Sequence, residues 1–84
     1  MAKYTVVITQ SVQKYLKKSP DRLATKLESA MLSLETNPRP YGYKKLKGRE
    51  AYRIKVGNYR IIYEIEDKDL KVIVIDAGDR KEIY

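Results

Sequence analysis

The sequence predicts an α+β fold in the order β-α-α-β-β-β: two N-terminal helices packed on a small, mostly antiparallel twisted sheet. Three observations predict it. Apolar residues recur at helical spacing from Leu23 to Leu34. Two alternating runs flank Gly57-Asn58, the signature of a tight hairpin. A continuous apolar run, Val72 to Ile75, then reads as a central strand. The chain of 84 residues is expected to form one domain, residues 1–84.

Lys3 to Thr9 reads as the first strand, because Tyr4, Val6 and Ile8 alternate with Thr5, Val7 and Thr9 and β-branched residues dominate. Ser11 is the expected cap of a short helix with Val12, Tyr15 and Leu16 on one face. Ser19-Pro20-Asp21 reads as the start of the second helix: a cap, a proline in the first turn and an acid near the positive end of the dipole. Its core stripe is Leu23, Leu27, Ala30, Met31 and Leu34, and Asn37-Pro38-Arg39-Pro40 ends it. A basic loop runs from Tyr41 to Glu50, with a short strand near Lys44–Leu46. Tyr52 to Val56 and Tyr59 to Ile65 form the hairpin, and a turn is expected at Glu66-Asp67-Lys68-Asp69. Leu70 to Ile75 is expected to be covered on both sides, with a short charged tail from Gly78 onward.

The hairpin register follows by counting outward from Gly57-Asn58. Val56 faces Tyr59, Lys55 faces Arg60, Ile54 faces Ile61, Arg53 faces Ile62 and Tyr52 faces Tyr63. Side chains alternate across a sheet. Tyr52, Ile54, Val56, Tyr59, Ile61 and Tyr63 therefore form the core face, and Arg53, Lys55 and Arg60 share the other. Like charges directly opposite one another destabilise a sheet by a few tenths to about 1 kcal/mol. A face built that way is suited to holding phosphate oxygens, which arginine grips bidentately and lysine as a point charge.

Charge is concentrated in the same region. The formal net charge is +7. Arg39, Lys44, Lys45, Lys47, Arg49, Arg53, Lys55 and Arg60 are opposed over their stretch by Glu50 alone, while the rest of the chain balances. Tyrosines 41, 43, 52 and 59 are interleaved with them, a pattern that points to a polyanionic partner such as nucleic acid.

The chain has no cysteine and no histidine. Disulfides, thiolate zinc sites, Ser-His-Asp and Cys-His catalysis and paired-histidine ribonuclease chemistry are therefore excluded. The carboxylates Glu64, Glu66, Asp67, Asp69 and Asp76 show no metal-ligand spacing and read as solvated groups or partners of nearby lysines. No cofactor or metal is expected. The longest apolar run is far shorter than the roughly 20 residues of a membrane span. The start, Met-Ala-Lys-Tyr, shows no signal-peptide pattern, so the cytoplasm is the expected compartment and no membrane partner is expected.

The stretch Tyr52-Arg53-Ile54-Lys55-Val56-Gly57-Asn58-Tyr59-Arg60-Ile61-Ile62-Tyr63-Glu64-Ile65, preceded by Leu46-Lys47-Gly48 and followed by Ala77-Gly78-Asp79-Arg80-Lys81-Glu82-Ile83-Tyr84, closely resembles the RelE branch of the RelE/ParE toxin superfamily. The element order matches as well, so the resemblance covers nearly the whole chain. It implies a RelE-like fold and the toxin of a type II toxin–antitoxin system. The implied activity is that of an mRNA interferase, a ribosome-dependent endoribonuclease that cuts messenger RNA in the A site. The implied partners are a cognate RelB-type antitoxin, the 70S ribosome carrying that message, and operator DNA through the antitoxin complex alone.

Carried over by position, the resemblance implies catalytic roles for Arg53 and Lys55 on the first hairpin strand, Arg60 as phosphate binder, Arg80 after the last strand, and Tyr84. Lys44, Lys45, Lys47, Arg49 and Tyr43 are the expected contacts to RNA or the ribosome. Arg53 stands where the best-known member has lysine, and Asp79 where many relatives have histidine.

Metal-free cleavage requires a 2′-OH to attack the adjacent phosphate, with cations stabilising the added negative charge and other groups moving protons. Arg53, Arg60 and Arg80 are the expected stabilisers. Lys55 is the expected proton acceptor, with Tyr84 sharing the proton work. Two alternatives stay open: a ParE-type inhibitor of DNA gyrase on the same fold, and a ribosome- or RNA-binding module without catalysis.

Overall fold

In the computed structural model, which describes residues 3–79, the apolar run near the end of the chain organises the sheet. β5 (Lys71–Asp79) lies between β1 (Thr5–Ile8), which runs parallel to it, and the antiparallel β4 (Tyr59–Glu66). β3 (Tyr52–Val56) pairs with β4, and the two-residue β2 (Lys44–Lys45) forms the edge beyond it. The order among the described residues is β1-β5-β4-β3-β2. Helices α1 (Gln10–Lys18) and α2 (Asp21–Ser33) connect β1 to the remainder and cover one face. The predicted β-α-α-β-β-β order holds, with the short strand near Lys44 completing the sheet.

The core lies between the helices and that face. Val12, Leu27, Met31 and Leu34 meet Ile54, Ile61, Tyr63, Val72, Val74 and Ala77. Burying a Leu or Val side chain is worth about 1.5–3 kcal/mol, so this cluster is the main source of stability. The predicted hairpin register is observed at every position from Tyr52↔Tyr63 to Val56↔Tyr59. Gly57 holds a φ of 62°, a conformation that glycine adopts freely and that suits the first position of a tight hairpin.

Four local expectations are corrected. Thr9, not Ser11, precedes α1, and its backbone carbonyl accepts the Gln13 N–H at 2.9 Å. The Ser19 hydroxyl donates to the Tyr15 carbonyl at 2.8 Å. It therefore closes α1, and Pro20 occupies the cap position of α2. Leu70 ends the β4–β5 turn with a φ of 52° instead of opening the strand. Finally, β5 continues through Gly78 and Asp79, so the expected tail begins as strand.

β5 is also covered less evenly than the sequence predicts. Val72 and Val74 are buried, whereas Ile73 and Ile75 are only partly so. Ile73 alternates onto the face away from the helices, and a bulge follows at Ile75. Ile62 pairs with Asp76 and Tyr63 with Val74, leaving Ile75 as the extra residue. The extra residue resets the alternation, which brings Ala77 to the helix side with Val72 and Val74. The Asp76 carboxylate accepts the Ala77 N–H at 2.9 Å beside it.

Candidate functional site on the open face of the sheet

Strand alternation builds the site. Tyr52, Ile54 and Val56 point to the helices, so Arg53 and Lys55 project from the other face of β3. On β4, Arg60 and Ile62 share that face. Lys55 pairs directly with Arg60. Lys44 pairs with Arg53 on the other side, a second directly opposed like-charge pair. The sequence does not reveal this second pair, because the register of a two-residue edge strand carries no periodic signal.

These strands bound an open groove of about 300 Å³ lined by Lys44, Lys45, Leu46, Lys47, Arg53 and Arg60. Arg60 is half-buried, and its Nε and Nη1 are shielded from solvent. Its directly paired residue on β5 is Gly78, which carries no side chain. Asp79 pairs with Tyr59, which places it on the opposite face from Arg60. Ile62, only 4% exposed, forms an apolar floor between Arg53 and Asp76.

The other expected contacts divide. Lys45 lines the groove and is also paired with Glu50 at 3.3 Å. Lys55 is exposed at the hairpin end and does not line the groove. Arg49 lies in the following turn, where its N–H donates to the Leu46 carbonyl at 3.4 Å. Tyr43 is part of the packing: its ring lies 5.8 Å from that of Tyr52, which lies 6.0 Å from that of Tyr63. Arg80 and Tyr84 lie outside the described residues.

Arg39 is drawn away from the cationic face by a contact that the sequence does not signal. Its guanidinium clasps both carboxylate oxygens of Asp67, at 3.2 and 2.8 Å, and the Tyr4 hydroxyl donates to the same carboxylate at 2.6 Å. Asp67 is thus the partner of an arginine and a tyrosine, not of a nearby lysine. Those hydrogen bonds, Arg39's first and then Tyr4's, hold its carboxyl below the usual range. Burial pushes the Tyr63 phenol up, and its hydroxyl donates to the Pro38 carbonyl at 2.7 Å. These contacts fix the segment that leads into the groove. Among the described residues, no three acidic groups cluster closely enough to hold a metal ion, and no helix is long and apolar enough to cross a membrane.

A helix-backed sheet with a cationic groove on the face away from the helices defines a small α+β protein equipped to meet a polyanion. Residues 6–84 match the sequence model of the ParE toxin of type II toxin–antitoxin systems. The chain is 34% identical to a putative RelE1 toxin of Methanocaldococcus jannaschii, over 95% of this chain and 92% of that one. It is 33% identical to the toxin RelG of Mycobacterium tuberculosis, over 96% and 95%. In structure it is similar to the RelBE2 toxin–antitoxin complex of M. tuberculosis, with a TM-score of 0.84 at 25% identity over 98% of this chain and 97% of that one. It is also similar to the archaeal RelE–RelB complex of Pyrococcus horikoshii, with a TM-score of 0.82 at 28% identity over 95% and 98%. The chain belongs to the RelE/ParE family and is a toxin of a type II toxin–antitoxin system.

Proposed function

We propose that this toxin is a ribosome-dependent endoribonuclease, a single RelE-like domain that cuts messenger RNA in the A site in the cytoplasm. The observation that carries the reading is the pair of like-charge oppositions, Lys44 with Arg53 and Lys55 with Arg60, on one open face. A purely structural sheet gains nothing from either pair. A nucleic-acid backbone laid across them relieves the repulsion in both.

In this reading Arg53 and Arg60 hold the scissile phosphate. The 2′-oxygen attacks phosphorus, its proton passes to the uncharged amine form of Lys55, and the bond from phosphorus to the 5′-oxygen breaks. A 2′,3′-cyclic phosphate remains on one fragment, and the other leaves as a 5′-hydroxyl after taking a proton from water. The arginines act by stabilising charge that grows in the transition state. An arginine guanidinium is a poor proton acceptor, so Arg53 has no part in moving the proton. Arg80 and Tyr84 belong to the same site by family resemblance. The protein's own cations supply the charge, and the reaction requires no metal or cofactor. The ribosome supplies alignment, which by itself lowers a barrier by several kcal/mol.

A RelB-type antitoxin is the proposed inhibitor, supported by the RelE–RelB complexes among the structural relatives and by a +7 charge that attracts an acidic peptide. Contact with operator DNA is through that complex.

The family description leaves gyrase inhibition as the second reading. Two assays on the purified chain separate them: gyrase supercoiling, and cleavage of a labelled message on programmed ribosomes. Cleavage without gyrase inhibition is expected. Gyrase inhibition without cleavage overturns the proposal.

A further inference from the structure

Tyr41 is the exception among the described tyrosines. Tyr43, Tyr52 and Tyr63 form a stacked series, and Tyr4, Tyr15 and Tyr59 are partly buried against the core. Tyr41 is fully exposed, at 106% of its reference area.

Its backbone is nevertheless fixed. The Tyr43 N–H donates to the Pro40 carbonyl at 3.0 Å, and Gly42 has a φ of 89°. Together these define a type II turn with Tyr41 at its first central position and glycine where a positive φ is required. Both sides of the turn are anchored. Pro38 is buried and accepts the Tyr63 hydroxyl, Arg39 is held by Asp67, and the Tyr43 ring lies against Tyr52. A similar hydrogen-bonded turn, Leu46 to Arg49, presents Lys47 at the corresponding position beyond β2.

Lys44 is the third residue after Tyr41, so their Cα atoms are at most about 11 Å apart. The turn that carries Tyr41 therefore lies within about 11 Å of Lys44, at one end of the cationic groove, with the ring open to solvent. The immediate neighbours of Tyr41 are Pro40 and Gly42, and Lys44, Lys45 and Lys47 follow within six residues. A cationic groove that tracks a backbone, with an aromatic ring beside it, is the standard means of holding single-stranded nucleic acid.

We propose that Tyr41 is a base-stacking contact for the RNA strand whose backbone Lys44 and Lys47 hold. The inference rests on the ribonuclease reading and adds a recognition residue to it. The backbone that carries the ring is already held in its turn, so little backbone freedom is lost when a base stacks on it.

The test measures ribosome-dependent cleavage against ribosome concentration for wild type, Tyr41→Phe, Tyr41→Leu and Tyr41→Ala, together with co-sedimentation of each variant with programmed ribosomes. Tyr41 touches no core residue, so all four chains should fold alike by circular dichroism. Phenylalanine should keep KM within about twofold, because the aromatic face is retained. Leucine and alanine should each raise KM about tenfold at unchanged kcat and weaken co-sedimentation to match. If both keep the wild-type KM and binding while wild type cuts, the stacking inference is wrong and the ribonuclease reading stands. If wild type binds ribosomes without cutting, the catalytic reading fails and co-sedimentation alone decides the inference. If wild type neither cuts nor binds, both are overturned. Unchanged ribosome affinity with weakened antitoxin inhibition would assign the ring to a protein contact and overturn the stacking role.

Discussion

Lys55 and Arg60 face each other directly across the β3–β4 hairpin, on the face turned away from the helices. Two neighbouring cations at a directly paired position oppose folding. Lys55→Thr should therefore raise stability, by a few tenths to about 1 kcal/mol in urea unfolding, while abolishing most of the cleavage. A stability loss in this variant would show that the opposition is harmless and would remove the main support for the site.

The groove lysines should act through long-range charge. Lys44→Ala and Lys47→Ala should each weaken ribosome binding across all messages. Each should also reduce the slope of log affinity against log salt by about one. Codon preference should not change, because backbone contacts carry no sequence information.

The Arg39–Asp67–Tyr4 contact should give an acid-dependent stability term. The folded-state carboxyl of Asp67 is depressed, chiefly by Arg39 and then by Tyr4. Its contribution is therefore full above the unfolded-state value of about 3.9 and is lost as pH falls through the folded value. Asp67→Asn should be less stable than wild type near neutrality, and the gap should close in acid below about pH 4. Both partners are well exposed, so the gap should be small and should narrow with added salt. Thermal melts between pH 3 and 7 measure it.

Leu70 holds a left-handed backbone with a φ of 52°, a conformation that costs an ordinary residue about 1–2 kcal/mol. Asparagine tolerates it better. Leu70→Asn should raise the melting temperature, offset in part by the loss of leucine's partial burial. A drop in melting temperature would show that the side chain contributes more than the backbone strain costs.

The parts of the fold legible in the sequence were those governed by local rules. Gly57-Asn58 fixed the hairpin register by counting, and the helical stripe of Leu27, Met31 and Leu34 identified the buried face of α2. What stayed hidden depended on distant or aperiodic contacts. The parallel pairing of β1 with β5 joins the two ends of the chain. The bulge at Ile75 lies in a continuous apolar run, where no alternation exists to reveal a break. Asp67 carries no signal that Arg39 will reach it. In the site, Arg53, Lys55 and Arg60 followed from alternation alone. The opposition of Lys44 to Arg53, and the withdrawal of Tyr43 into the packing, required the register of β2.

The most direct test of the central claim is primer extension on one defined message, presented on programmed ribosomes and free in the same buffer. The account predicts cuts at A-site codons with ribosomes only, lost in Arg60→Ala. Cuts of comparable efficiency in the free message, or no cuts in either tube, would contradict it.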